Sequence, residues 1–201
     1  MKDLVTPYKQ KDRWLPEIQG IEKYQKNNSR GYFYKGKLIP YSITQITDTR
    51  NAFVKKVHEE FGFNTAGCGP AHRATPLAGM LAIPTNKLIT LAKLEAKITH
   101  FDDDAGNGSA IVIMLCRYLL EGKSYYDAEN LVCNHKDLKD SWTKLQNAEL
   151  KPDGYIYNVI YSALHFIKEK KSLDDAIKFS GKANYCSIIV SVIMKCVNKV
   201  N

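Results

Sequence analysis

The sequence predicts an all-α fold: a compact, single-domain bundle of about nine helices. From Ser42 onward apolar residues recur at the three- and four-residue spacings of helix faces, glycines such as Gly62 and Gly122 close those runs, and almost no stretch reads as strand. No repeat of fixed period and no low-complexity linker divides the 201 residues, a length that one domain accommodates. The expected organisation is an aromatic-rich N-terminal strap over residues 1–41 followed by a helical core over residues 42–201.

The strap carries Trp14, Tyr24, Tyr32, Phe33, Tyr34 and Tyr41 among the turn-formers Pro7, Pro16, Gly20, Gly31, Gly36 and Pro40. One short helix is predicted over about residues 15–25, and residues 31–37 read as a hairpin. Its aromatics are read as packing residues before any role as a flap. Next, Ile46, Thr49, Phe53 and Val57 share one face of a helix that runs to about Glu60, with Thr47 or Asp48 as its cap and Gly62 as its stop. After the turn at Gly67 to Gly69 a short helix is predicted to begin near Arg73, with Pro76 in its first turn. Pro84 and Thr85 open the following helix, whose stripe is Leu88, Leu91, Ala92, Glu95 and Ile98.

The run from Ala110 to Leu120 is apolar almost all round, the mark of a buried central helix. Shorter helices are predicted over residues 124–134 and 138–145. Pro152, Asp153 and Gly154 make a turn, beyond which Ile156, Val159, Ile160, Ala163, Leu164 and Ile167 fit an amphipathic helix. Ser172, followed by Asp174 and Asp175, is an N-cap with acid where the helix dipole favours it. A last helix over residues 185–198 places Ile188, Ile189, Val192, Ile193 and Cys196 on its apolar face.

Composition narrows the class of function. A hydrophobic share of 44% with 25% charged residues is ordinary for a soluble protein with a real core. The balance of 29 Lys and Arg against 21 Asp and Glu, a net charge of +8, favours anionic ligands. The lysines are scattered, however, and no nucleic-acid-reading motif is present, so a nucleic-acid partner is not expected. Cys68, Cys116, Cys133, Cys186 and Cys196 form no CxxC pair, which indicates a reducing compartment. No signal peptide is visible at Met1-Lys2-Asp3-Leu4, and no apolar run approaches the roughly 20 residues of a membrane span. A cytoplasmic protein without a membrane partner is expected.

The chemistry concentrates in two stretches, residues 67–76 (GCGPAHRATP) and residues 99–109 (THFDDDAGNGS). Both read as loops that start helices. A glycine-rich turn lets backbone N–H groups approach an anion closely, and a helix beginning there adds the positive end of its dipole, a cradle for phosphate. His100 and the nearby carboxylates would then act on a sugar or hold one. Asp102, Asp103 and Asp104 are consecutive on a turn and point different ways, so at most two could share an ion, and helix capping is their first reading. Asp102 is kept as the catalytic candidate. His72 follows the glycine loop and could meet a phosphate. His58, His135 and His165 lack ligand-spaced neighbours and are read as structural or solvated. Cys68 has no clear base beside it and reads as a small filler rather than a nucleophile.

In order and spacing these elements resemble the ADP-ribosylglycohydrolases, a family that includes the dinitrogenase reductase-activating glycohydrolases. The resemblance spans roughly residues 48–195. It rests on Thr-Arg-Asn-Ala at Thr49 to Ala52, the Gly-x-Gly loop running into Arg and Pro at Gly67 to Pro76, Thr-His-x-Asp at Thr99 to Asp102, and Gly154, Tyr155, Ser172, Ala176, Ile177 and Gly181 near the end. It implies an all-α fold and hydrolysis of the bond at the ribose anomeric carbon of an ADP-ribosylated side chain or small molecule. It implies further that Gly67, Cys68 and Gly69, with Gly154, Tyr155 and Ile156, wrap the diphosphate and distal ribose, and that His100 sits against the nucleotide. His72, Arg73, Lys182, Asn184 and Tyr185 complete the ligand-binding set expected on this resemblance.

Two departures from the family pattern shape the functional expectation. Such proteins hold two magnesium ions with an N-terminal Thr-Asp-Asp-Thr and a C-terminal Asp-x-Asp. The nearest approach to the first is Thr47-Asp48-Thr49, in a different helix, and the usual opening Gly-Asp-x-x-Gly helix is not found. At the second the sequence reads Gly181-Lys182-Ala183-Asn184-Tyr185, and the Lys182 ammonium repels a cation. The resemblance therefore leads to an ADP-ribose-type nucleotide or ADP-ribosylated molecule as ligand, no cofactor, hydrolase activity lost or altered, and a partner chain as a source of the N-terminal part. Two alternatives stay open: an active glycohydrolase with Asp102 as acid or base, magnesium then being its cofactor, and an interaction protein that uses the fold as scaffold.

Overall fold

Helix α5, Asp103–Leu120, is the element around which the core is built. The structure, a computed structural model, describes the backbone of residues 31–34, 37–40, 43–181 and 186–198 and the side chains of residues 50–181 and 187–197. Within α5, Ile111, Val112, Ile113, Met114, Leu115 and Cys116 are consecutive and all buried. A helix apolar on every side has no solvent face, so it must be covered all round. Burial of each of its large aliphatic side chains contributes about 1.5–3 kcal/mol.

The chain divides into two compact units, Met1–Ala52 and Phe53–Asn201. In the first, strands β1, Gly31–Tyr34, and β2, Lys37–Pro40, pair antiparallel with Gly31 opposite Pro40 and Tyr34 opposite Lys37. The expected hairpin is thus present. Helix α1, Ile43–Glu60, begins in this unit. The helix predicted over residues 15–25, and the strap residues apart from the hairpin, lie outside the described residues.

The second unit is all-α, as the sequence predicts. After the end of α1 come α2, Gly69–Ala74, α3, Pro76–Gly79, and α4, Thr85–Ala96. Then α5 is followed by α6, Tyr125–Cys133, α7, Lys139–Gln146, α8, Ile156–Lys168, α9, Leu173–Gly181, and α10, Cys186–Asn198. Helices α2, α3, α4, α6, α8 and α10 all pack on α5, α4 most extensively. At Gly106 the α4 backbone comes within ordinary contact, since a Cβ there would lie 3.4 Å from the Lys93 Cα. Gly108 is the position where glycine is needed, because a Cβ there would stand only 2.2 Å from Ile156 Cγ1 of α8.

Local signals fix the ends. Gly62 and Gly122 adopt left-handed φ angles of 63° and 84° just after α1 and α5, a conformation glycine enters without Cβ strain. Ser124 caps α6 by accepting from the Asp127 N–H at 3.1 Å. Ahead of α9, Ser172 Oγ accepts from Asp175 N at 3.1 Å while Asp175 Oδ2 accepts from Ser172 N at 3.2 Å, the reciprocal pair of a capping box. Arg117, buried in the C-terminal half of α5, donates through Nη2 to the carbonyls of Met80 at 2.9 Å and Ile83 at 3.1 Å, tying the connection between α3 and α4 to the core.

Four expectations need correction. Helix α1 starts at Ile43, so Thr47 and Asp48 lie inside it rather than at its cap, and among its described side chains Val54 is the buried one whereas Phe53 is 62% exposed. The short helix expected near Arg73 begins at Gly69, because Pro70 supplies the preset φ of a first helical turn, and Pro76 opens a separate turn of helix, α3. In the stripe of α4, Ile98 lies beyond the helix and is 44% exposed; Ile89 and Ala96 are buried instead. In α10, Ile188 is 53% exposed, and Ile189, Val190, Ile193 and Met194 form the buried face.

Candidate functional site

The two loops singled out in the sequence meet. Gly67 and Tyr155 form an isolated antiparallel bridge, in which Cys68 N donates to Gly154 O at 3.0 Å and Ile156 N to Ala66 O at 3.0 Å. The turn before α8 is held from below by Asp153, whose Oδ1 accepts from Tyr155 N at 3.0 Å and whose Oδ2 accepts from Asn158 Nδ2 at 3.0 Å. Gly154 and Tyr155 are thereby laid alongside Gly67 and Cys68, and Ile156 is fully buried behind them.

His100 lies over this junction. A Cβ on Gly67 would come within 3.2 Å of His100 Nε2, and one on Gly69 within 3.2 Å of His100 Cε1. Neither glycine has a positive φ, so the backbone does not demand glycine there. The imidazole favours it, because a side chain at either position would press on the ring and make it give by a few tenths of an ångström. Burial lowers the His100 pKa below the ordinary histidine value, the Arg73 guanidinium lowers it further, and the Glu95 and Asp102 carboxylates act in the opposite sense. The ring's Nδ1 is 2.8 Å from Thr99 Oγ1.

Arg73 is one residue past His72 on α2, and its guanidinium is already engaged. Its Nε donates to Glu95 Oε1 at 2.7 Å and its Nη2 to Thr99 Oγ1 at 2.8 Å. Glu95 lies in the last turn of α4 and Thr99 in the turn that follows it, close enough for a single guanidinium to span both. His72 is half-buried beside it. Cys68 is buried, and burial raises its pKa to about 11, so it is a thiol at neutral pH and not a nucleophile.

The three acids divide. Asp102 is the N-cap of α5, its Oδ1 accepting from Asp104 N at 2.9 Å. Asp103 turns toward α4 and pairs with Lys97 Nζ at 2.6 Å. Asp104 turns toward α7 and α8, where Lys144 Nζ bridges both its oxygens at 2.8 and 2.9 Å and the Tyr157 hydroxyl donates to Oδ1 at 3.1 Å. The Asp104 carboxylate in turn holds the Lys144 pKa above the ordinary lysine range. Asp102 and Asp103 border a hollow of about 220 Å³ between α4 and α5, lined also by Lys93, Lys97, Gly106 and Asn107.

Asp102, Asp103 and Asp104 do not by themselves assemble a cation site. A hard cation needs several oxygens converging on one point, but Asp102 caps the helix, Asp103 pairs with Lys97 and Asp104 pairs with Lys144. Among the described residues no group of three or more His, Cys, Asp or Glu converges to hold a metal. Lys182, Asn184 and Tyr185 lie outside the described residues, as do the side chains of Thr47, Asp48 and Thr49.

Of the residues predicted from sequence, Gly67, Cys68, Gly69, Arg73, His100, Gly154 and Tyr155 come together, Asp102 acts electrostatically on His100, and Ile156 backs the junction. Sequence reasoning missed Thr99 and Glu95 as partners of Arg73, and Lys144 as the partner of Asp104. The four-residue spacing of Glu95 and Thr99 was a usable signal for the first; nothing local announces the second.

The fold and this junction define a class, an all-α protein with two glycine-bearing loops closed under a histidine beside a capped acidic helix start. The sequence profile of the ADP-ribosylglycohydrolase family matches residues 9–190, and the chain belongs to that family. No curated protein and no solved structure matches the chain. Among the described residues no helix is long and apolar enough to cross a membrane.

Proposed function

We propose that the chain binds an ADP-ribose-type nucleotide, or a molecule carrying one, where the Gly67 to Gly69 loop, Gly154, Tyr155 and His100 meet, and that it does so without a dinuclear magnesium site, its hydrolase activity lost or altered. The observation that carries the reading is the commitment of the acids: Asp102 to the helix cap, Asp103 to Lys97 and Asp104 to Lys144. Gly67, Gly69 and Tyr155 are half-buried rather than enclosed, and they offer the remaining contacts, main chain at the two glycines for phosphate oxygens and an aromatic face for a sugar or base.

The test is calorimetric titration of the protein with ADP-ribose, with and without magnesium. Metal-independent micromolar binding is the expected result. Magnesium-dependent release of ADP-ribose from an ADP-ribosylated substrate would overturn the proposal, and the absence of binding by any nucleotide would leave the interaction-protein reading. A second reading, an active glycohydrolase with Asp102 as acid or base, draws on the half-buried position of Asp102 and its charge acting on His100. It requires substrate turnover that Asp102→Asn abolishes.

A further inference from the structure

Arg73 was expected to touch the ligand, yet the guanidinium is spent on Glu95 and Thr99, and the chain of contacts continues to His100. Glu95 Oε1 accepts from Arg73 Nε at 2.7 Å, Thr99 Oγ1 accepts from Arg73 Nη2 at 2.8 Å, and Thr99 Oγ1 lies 2.8 Å from His100 Nδ1. Glu95 Oε2 is buried with no hydrogen-bond partner among the described residues, so Arg73 is the group that balances this carboxylate. An arginine can only donate. Thr99 Oγ1 is therefore an acceptor toward Arg73, and a hydroxyl polarised by a cation is a stronger donor through its own proton.

We propose that Glu95, Arg73 and Thr99 form a positioning relay that directs the Thr99 proton onto His100 Nδ1, fixes the neutral imidazole as the Nε2–H tautomer, and presents that N–H at the glycine loop as a donor to an acceptor oxygen of the ligand. The alternative tautomer would place two donors, the guanidinium and an Nδ1–H, on one threonine oxygen and turn the threonine proton outward. His100 Nε2 is the ring atom nearest Gly67, 3.2 Å from where its Cβ would be, and makes no hydrogen bond among the described residues. The charged groups acting on the ring are Arg73, Glu95 and Asp102. Arg73 is thus assigned to positioning rather than to ligand contact.

The role of the Nε2–H rests on the nucleotide-binding reading, but the tautomer does not, and the test separates them. Long-range proton–nitrogen correlation on the ligand-free protein, labelled with ¹⁵N-histidine, reads the protonated nitrogen directly; the His100 signals are those lost in His100→Gln. Wild-type protein above the histidine pKa is expected to show a pyrrole-type Nε2 and a pyridine-type Nδ1. Thr99→Val should lose that preference, Thr99→Ser should restore it, and Arg73→Lys should weaken it. An Nδ1–H tautomer in the wild type, or a Thr99→Val protein with an unchanged tautomer, would overturn the relay. Titration with ADP-ribose then tests the role of the donor: binding is expected to weaken about fivefold in Thr99→Val, roughly 1 kcal/mol, and to recover in Thr99→Ser. If the wild type shows the Nε2–H tautomer yet binds no ADP-ribose, the relay stands and the nucleotide reading falls. If it binds and Thr99→Val binds equally well, the donor role is overturned.

Discussion

Gly108→Ala isolates the closest helix contact behind the candidate site. The added Cβ would stand 2.2 Å from Ile156 Cγ1 and 3.1 Å from Cγ2, against the roughly 3.5–4.0 Å of an unstrained carbon pair. Rotating Ile156 about χ1 relieves its Cγ atoms but leaves its Cβ only 3.2 Å away. Helix α8 must therefore also move off α5 by a few tenths of an ångström at the point where its first residue meets the Gly67–Tyr155 bridge. Overpacking of this kind costs about 1–3 kcal/mol, and a contact that needs both adjustments belongs at the upper end. Replacing glycine by alanine in a helix interior returns about 1 kcal/mol. The net expectation is a loss of about 2 kcal/mol, a fall in Tm of roughly 4–8 °C for a chain of this size. Thermal and urea unfolding followed by circular dichroism measures it. Gly106→Ala, whose Cβ would meet Lys93 Cα at an ordinary 3.4 Å, is the control and should be neutral or stabilising. In the double variant with Ile156→Ala the loss should be smaller than the sum of the two single losses. A Gly108→Ala protein that melts at or above the wild-type temperature would refute the reasoning.

Arg117→Met keeps most of the side-chain volume and removes the buried guanidinium's bonds to the part-buried Met80 and Ile83 carbonyls; with a hydrogen bond to a charged group contributing about 1.5–3 kcal/mol and water able to replace part of it, a loss of roughly 2–4 kcal/mol is expected in urea unfolding, and a loss under about 1 kcal/mol would show that those carbonyls find water. Cys68, its pKa raised to about 11 by burial, should be alkylated by iodoacetamide several hundredfold more slowly at pH 8 than a free thiol with a pKa of about 8.5. Since only the thiolate reacts, its rate should rise about tenfold per pH unit from 8 toward 11. Mass-spectrometric labelling of Cys68 at the free-thiol rate at pH 8 would contradict the raised value.

The helices were legible because burial imposes a period. In α8 the spacing alone picks out Ile156, Val159, Ile160, Ala163, Leu164 and Ile167; the first five are buried and Ile167, in the last turn, is half-buried. The failures occur where the period has competitors. In α1 a stripe through Phe53 and one through Val54 differ by a single residue, and only the packing partner decides between them. Ile188 fits the pattern of α10 yet is exposed, since α10 buries a neighbouring face. For the candidate site, residue types were legible and pairings were not. Glycines, a histidine and acids were visible as a set, but the bridge from Gly67 to Tyr155 joins positions far apart in sequence. The Lys144 to Asp104 pair spans 40 residues. Such partners are chosen by tertiary proximity, which no local spacing encodes.

The central position of α5 fixes where this part of the chain can give way. Asp102, Asp103 and Asp104 sit at the start of a helix whose residues Ile111 to Cys116 are all buried, so their backbone moves only when the core itself opens. The junction of Gly67 with Tyr155 is held by two backbone hydrogen bonds, Cys68 N to Gly154 O and Ile156 N to Ala66 O. The acids and the glycine junction thus belong to different levels of the stability hierarchy, and amide exchange at Cys68 and Ile156 should precede exchange in the middle of α5.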